Sequence, residues 1–215
     1  MKKGNVEVTW LGHGSFKIKD VLDNRVIYID PFRINDCEPA DAVLITHPHY
    51  DHCSIEDLKK IVVPKTVILA PPDCQSKFQG RMDFRDSVIM GAGKNITLGN
   101  IDIEAVPAYN TNKKFHLKDN EWLGYVIDIN SKRIYHAGDT DAIPEMKNLR
   151  NIDIALLPVS GTYVMTAEEA AEAVKMFEPK LAIPMHYGEI VGERADAERF
   201  KQLSPVPVEI LEKHG

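Results

Sequence analysis

Apolar residues along this chain fall into two kinds of run. Near the N-terminus they alternate with polar ones: NVEVTWLG, SFKIKD and NRVIYIDP each read as a strand with one face turned from water. DAVLITH, KTVILAPP, IDIALLPV and KLAIPMH are short and nearly continuous, the pattern of strands buried on both faces. NITLGNIDIEAVPAY splits into two strands around Gly99-Asn100. EWLGYVIDINSKRIYHAG folds back on itself at Asn130-Ser131, and VPVEIL adds a closing strand. Helices are fewer. Ser54 with Asp57 three residues on predicts an N-capped helix over 55–60. Thr166 with Glu169 forms a capping box ahead of AEEAAEAVKMF, which must stop before Pro179, and DAERFKQL gives a third helix. Strands dominate the first half, while strand and helix alternate in the second. That order predicts an α+β fold of two sheets packed together with helices outside, in one domain over residues 1–215.

Composition narrows the function classes. Hydrophobic residues at 44% and charged residues at 27% are ordinary for a globular protein. A net charge of −6 argues against a nucleic-acid or membrane-surface binder. The opening MKKGNVEVTW has no apolar stretch of a secretory leader, and no run is long enough to span a bilayer. Cys37, Cys53 and Cys74 are odd in number and far apart, so a disulfide framework is not expected and a reducing, cytoplasmic setting is.

The chemistry is concentrated in THPHYDHC. His47, His49, Asp51 and His52 lie within six positions, directly after an apolar run. Pro48 ends the strand, so His47 and His49 can share one side while Asp51 and His52 follow the turn and face a second point. Imidazole and carboxylate suit zinc, iron or manganese, and two ions side by side need further ligands from elsewhere in the chain. The sequence offers them at strand ends: Asp30 in VIYIDP, His136 and Asp139 in IYHAGDTD, and His186 in KLAIPMHYG.

HPHYDH resembles the H-x-H-x-D-H signature of the metallo-β-lactamase superfamily. IDP, GDT and PMHYG resemble its first, bridging-aspartate and last-histidine motifs, in the same order. The likeness covers essentially the whole chain. TWLGHGSFKI and YHAGDT further resemble the branch that includes ascorbate phosphate lactonase, N-acyl phosphatidylethanolamine phospholipase D and cytosolic hydrolases. The resemblance implies an αββα sandwich of two mixed β-sheets flanked by helices. It also implies a hydrolase that directs a metal-bound hydroxide at an ester, lactone or phosphodiester of a small, sometimes phosphorylated substrate. The implied ligands are His47, His49, Asp51, His52, Asp139 and His186. Zinc is the first choice of metal, as one or two ions, with manganese, nickel or iron as alternatives. Asp30 and His136 would orient ligands from behind. Asp51 would take a proton, and His13 or His116 would assist the leaving group. Two rival readings are an iron-dependent redox enzyme of the dioxygenase type and a ligand-binding sensor with a degenerate site.

One position departs from the pattern. Aligning PAY places Asn110 where the family has a third histidine for the first metal. Asn110 could be a poor ligand, His116 could swing back from the loop to replace it, or the first site could be weak. The reading favoured here has His116 lining the site. Lys113, Lys114 and Lys118 surround His116 and form either a solvated loop or a basic lip for an anionic substrate.

Overall fold

In the computed structural model, which describes residues 1–35 and 37–214, the chain divides into two compact units. The first comprises residues 1–90 with 211–215, the second residues 91–210.

Among the described residues of the first unit, seven strands form one sheet in chain order: β1 (Lys2–Lys3), β2 (Val6–Gly12), β3 (Ser15–Asp20), β4 (Arg25–Ile29), β5 (Ala42–Leu44), β6 (Val67–Ala70) and β7 (Asp86–Ile89). Pairing is antiparallel from β1 to β4 and parallel from β4 to β7. The change of sense follows from the connections. Short turns can join only antiparallel neighbours, whereas β5 reaches β6 through the helix α1 (Ile55–Ile61). A four-residue helix, α2 (Gln75–Phe78), precedes β7. Val26 and Tyr28 of β4, Val43 of β5 and Ile68 of β6 share a core with Leu58 and Ile61 of α1. Fully burying those two helix side chains contributes about 2 kcal/mol each.

In the second unit, six described strands form the order β13-β12-β11-β10-β9-β8: β8 (Asn95–Leu98), β9 (Ile101–Pro107), β10 (Leu123–Ile129), β11 (Lys132–His136), β12 (Ile154–Pro158) and β13 (Ala182–Met185). Here too one half is antiparallel, β8 to β11, and the other parallel, β11 to β13. The turn between β10 and β11 holds Asn130 and Ser131 at φ of 48° and 58°, the left-handed pair that a two-residue hairpin requires. The helix α3 (Ala167–Ala173) begins at the expected capping box. Thr166 Oγ1 accepts from Glu169 N, and Glu169 Oε2 accepts from Thr166 N. The helix α4 (Arg194–Leu203) packs on it, with Arg199 Nε donating to Glu168 Oε1 at 3.0 Å.

The observed architecture is therefore the expected class, two mixed sheets with flanking helices. Some elements differ. VPVEIL does not form a strand, because Pro205 and Pro207 have no N–H to donate. Only Val208 bridges, to Ala182, with Pro207 O and Glu209 N on either side. The strand β7 and helix α2 were not foreseen. Among the described residues no helix is long and apolar enough to cross a membrane.

Candidate metal centre

In both units the chemical residues follow the C-terminal ends of the parallel strands. In the first unit, Asp30 comes directly after β4 and is fully buried at φ 46°. Its carboxylate accepts from Thr46 N at 2.8 Å, Thr46 Oγ1 at 2.6 Å and His52 Nδ1 at 2.8 Å. These contacts fix two tautomers. A carboxylate only accepts, so His52 carries its proton on Nδ1 and its Nε2 becomes the lone-pair nitrogen. The single Thr46 hydroxyl proton goes to Asp30, so the 2.9 Å contact between Thr46 Oγ1 and His47 Nδ1 must be donated by the histidine. His47 Nε2 is then a lone-pair nitrogen as well. One buried carboxylate and one threonine thus set two imidazoles in the state that ligates a cation.

The neighbouring groups are close. Potential ligand atoms of Asp30, His47 and His52 all lie within 4.8 Å of one another. His47 Nε2 stands 2.9 Å from His49 Nδ1. Asp51 Oδ2 lies 3.0 Å from His13 Nε2 and 3.7 Å from His52 Nε2. His13 is fully buried, its carbonyl held by Trp10 Nε1 at 2.9 Å. The glycine after it has a steric purpose: a Cβ on Gly14 would sit 3.1 Å from His52 Cε1.

A second carboxylate braces this loop from behind. Asp57, in the first turn of α1, accepts from Ser54 Oγ at 2.6 Å, Arg33 N at 2.8 Å, Ile34 N at 3.1 Å and Lys60 Nζ at 2.7 Å. It ties the segment after Asp30 to the helix after His52. Burial pushes the Asp57 carboxyl up, but the hydrogen bonds from Lys60, Ser54 and the two backbone amides outweigh it and hold it below the usual carboxylate value.

The second unit gathers its own set around Asp139, which follows β11 after a left-handed Gly138. A Cβ on Gly138 would fall 2.5 Å from Leu123 O, so only glycine fits this turn. Asp139 Oδ2 lies 3.2 Å from His186 Nε2 and 3.2 Å from His116 Nε2. His186 comes directly after β13, and its Nδ1 is 3.2 Å from Ser160 Oγ, beyond the end of β12. His136 is buried within β11, where its Nδ1 accepts from Gly138 N at 3.2 Å and supports the turn.

The loop containing Asn110 and His116 folds back as a closed unit. Asn110 N donates to His116 O at 2.7 Å. Asn110 Nδ2 donates to Phe115 O at 3.0 Å and to Tyr163 O at 2.6 Å, while Asn110 Oδ1 is buried without a hydrogen-bond partner. Asp141 anchors the rest of the loop. It accepts from Thr111 N at 2.7 Å, from Asn112 N at 3.3 Å and from Lys113 Nζ. Lys113 also lies 3.6 Å from Glu169, and Lys118 donates to Glu145 at 3.0 Å and to the Tyr109 hydroxyl at 3.2 Å. Two of the three lysines that could have formed a basic lip are therefore tied to carboxylates, and Lys114 alone of the three is exposed with no such tie described.

Residues 7–186 match the β-lactamase superfamily domain. The chain belongs to that superfamily. It is 33% identical to the UPF0173 metal-dependent hydrolase of Thermococcus onnurineus over 96% of this chain and 95% of the relative. Among solved structures it resembles a Parabacteroides distasonis protein assigned as a metal-dependent hydrolase. That pair shows 35% identity and a TM-score of 0.84, over 97% of this chain and 94% of the other. It also resembles Igni18, a metallo hydrolase of the archaeon Ignicoccus hospitalis, with 26% identity and a TM-score of 0.77 over 98% and 96% of the two chains.

Within this superfamily member, His13, Asp30, His116 and His186 all hold left-handed backbone, at φ of 49°, 46°, 55° and 61°. Side-chain-bearing residues adopt that region at a cost of about 1–3 kcal/mol each when strained, and such residues cluster where side chains must be aimed. Sequence reading missed the supporting groups Thr46, Asp141 and Ser160. Thr46 adjoins His47 and Asp141 follows Asp139 by two, so adjacency was the available signal.

Proposed function

We propose that the chain hydrolyses an ester, lactone or phosphodiester of a small molecule, with residues 1–215 working as a single domain around a divalent metal centre. The ligands would be His47, His49, Asp51, His52, Asp139 and His186, with His116 replacing the third histidine expected at Asn110 and zinc as the first choice of metal. The observation that carries this reading is the Asp30–Thr46 arrangement, which leaves His47 and His52 with lone pairs on Nε2. Such a carboxylate behind a histidine is a device of metal sites. The approach of two imidazole Nε2 atoms to one Asp139 oxygen supports it independently. Hydrolase naming of full-length relatives adds the reaction class. Free thiols at Cys37, Cys53 and Cys74 support a cytoplasmic setting.

When bound, the metal supplies Lewis acidity that makes water nucleophilic near neutral pH. The chain's residues do the rest. Asp51 Oδ2 would hold the transferred proton, and His13, buried 3.0 Å from it, would orient that oxygen and assist the leaving group. Asp30 keeps His47 and His52 in their ligating tautomers. Asn110 spends its amide nitrogen on Phe115 O and Tyr163 O, so it closes the loop that presents His116.

Element-resolved mass spectrometry on metal-reloaded protein tests this assignment. The unaltered chain should hold about two ions, the stoichiometry of a paired-metal clamp, and His116→Ala about one. Turnover on ester and phosphodiester panels should fall with the lost ion. Unchanged metal content in His116→Ala would return the role to Asn110 Oδ1. No metal after reloading with zinc, manganese, nickel and iron would remove the proposal altogether.

A further inference from the structure

The loop that presents His116 also carries two exposed apolar side chains. Phe115 is 52% exposed and Leu117 is 51% exposed, while His116 between them is only 3% exposed. The imidazole turns inward to Asp139, and its two neighbours turn to solvent. Scattered exposed apolar residues are ordinary on protein surfaces, so exposure alone has no meaning here. What sets Phe115 apart is how it is held. Its ring packs edge-on against Tyr163, with centroids 4.9 Å apart and planes at 83°. One side-chain amide, Asn110 Nδ2, donates to both carbonyls, Phe115 O and Tyr163 O. The backbone that carries each ring is thereby tied to the same buried residue that closes the His116 loop.

The charge around this pair is largely cancelled. Lys113 is held by Asp141 and lies near Glu169, and Lys118 is held by Glu145 and Tyr109. A phosphate approaching His116 and Asp139 along this loop would meet two exposed lysines, Lys118 already paired with Glu145 and Lys114 with no carboxylate tie described, whereas an apolar group would meet an aromatic edge. A loop backbone already held, with its two rings in edge contact, loses less freedom when a ligand arrives, which favours binding.

We infer that Phe115 and Tyr163 are specificity-determining residues that receive an aromatic or aliphatic group of the substrate, which makes the substrate an apolar ester or lactone in preference to a phosphate ester. This deepens the hydrolase reading above and rests on it for the place of the reacting bond. The test is nevertheless a binding measurement, so that absent turnover would count against the hydrolase reading alone. Zinc-reloaded full-length protein is titrated calorimetrically with acetate, hexanoate, phenylacetate and phenyl phosphate. Phenylacetate and hexanoate should bind about tenfold more tightly than acetate, the gain expected from one aromatic contact with its buried area. Phe115→Ala should bring the phenylacetate-to-acetate ratio to within about twofold of unity, and Phe115→Tyr should restore it. Because Phe115 is half in solvent, the variant keeps the fold, which circular dichroism checks. Tyr163→Ala should reduce the same ratio.

Four results would overturn the inference: equal affinity for acetate and phenylacetate in the unaltered chain, an unchanged ratio in Phe115→Ala, tightest binding of phenyl phosphate that Lys114→Ala abolishes, or no measurable binding of any of the four compounds. The third would assign the loop to phosphate esters, with Lys114 as the contact.

Discussion

Asp139→Ala should strip metal from the protein and end turnover while leaving both sheets intact. His116 Nε2 and His186 Nε2 each stand 3.2 Å from the same Asp139 oxygen, so this carboxylate is common to two proposed ligands. Even a group that merely orients a ligand is worth about 10–100-fold in metal affinity, so loss of a shared carboxylate should exceed about 100-fold. The fold should survive because removing a carboxylate also relieves the cost of burying its charge. Metal content after dialysis against a weak chelator, read beside far-ultraviolet circular dichroism, separates the two effects. Retention of full metal with full activity would show that Asp139 is a structural carboxylate and that the centre lies elsewhere.

The second large effect is on stability. Asp57→Ala should destabilise the protein by about 3 kcal/mol, since it strands the buried amide of Ile34 and the amide of Arg33. Direction with pH follows from the depressed Asp57 carboxyl. The unfolded chain binds the proton more tightly, so the stabilisation is complete above the ordinary carboxylate value. It is lost as pH falls through the lower folded value. Urea unfolding midpoints between neutral and strongly acidic pH should therefore decline for the parent chain. For Asp57→Asn they should start lower and decline less. Parallel curves would mean that Asp57 is not a source of acid sensitivity.

Much of the candidate centre was legible because its signals are local. HPHYDH, GDT and PMHYG are short runs in which the side chain and the turn that aims it are adjacent, and the caps at Ser54 and Thr166 span only three residues. The hairpin at Asn130-Ser131 was readable for the same reason. Groups joined across the chain were not. Asp57 read as a helix cap, yet its further task is to hold Arg33 and Ile34, more than twenty residues earlier. Asp141 was overlooked because its partners, Thr111, Asn112 and Lys113, precede it by about thirty positions. The same pairing explains why a cluster of lysines that looked cationic in sequence is largely neutralised in space. The strand β7 escaped notice because Asp86 and Ile89 are exposed, leaving no alternation to see. VPVEIL showed the opposite failure, an apolar pattern whose own Pro207, with Pro205 just before it, denies it a ladder.

The division of each sheet into an antiparallel and a parallel half has a consequence for the order of assembly. The hairpins β2–β3–β4, β8–β9 and β10–β11 join sequence neighbours through short turns and close little chain, whereas β9 reaches β10 through residues 108–122, the loop that carries His116. Asp30, His47, Asp139, Ser160 and His186 all follow strands of the parallel halves, where pairing waits on long crossovers and the loop-closure entropy they cost. The antiparallel scaffold is therefore expected to form ahead of the proposed metal edge, with that edge completed late in folding. Contacts made that late govern how slowly a protein comes apart rather than how quickly it forms. A resident metal would accordingly lengthen the lifetime of the native chain without hastening its birth. Starved of metal, a cell would still make this protein at its usual pace, and would lose it sooner.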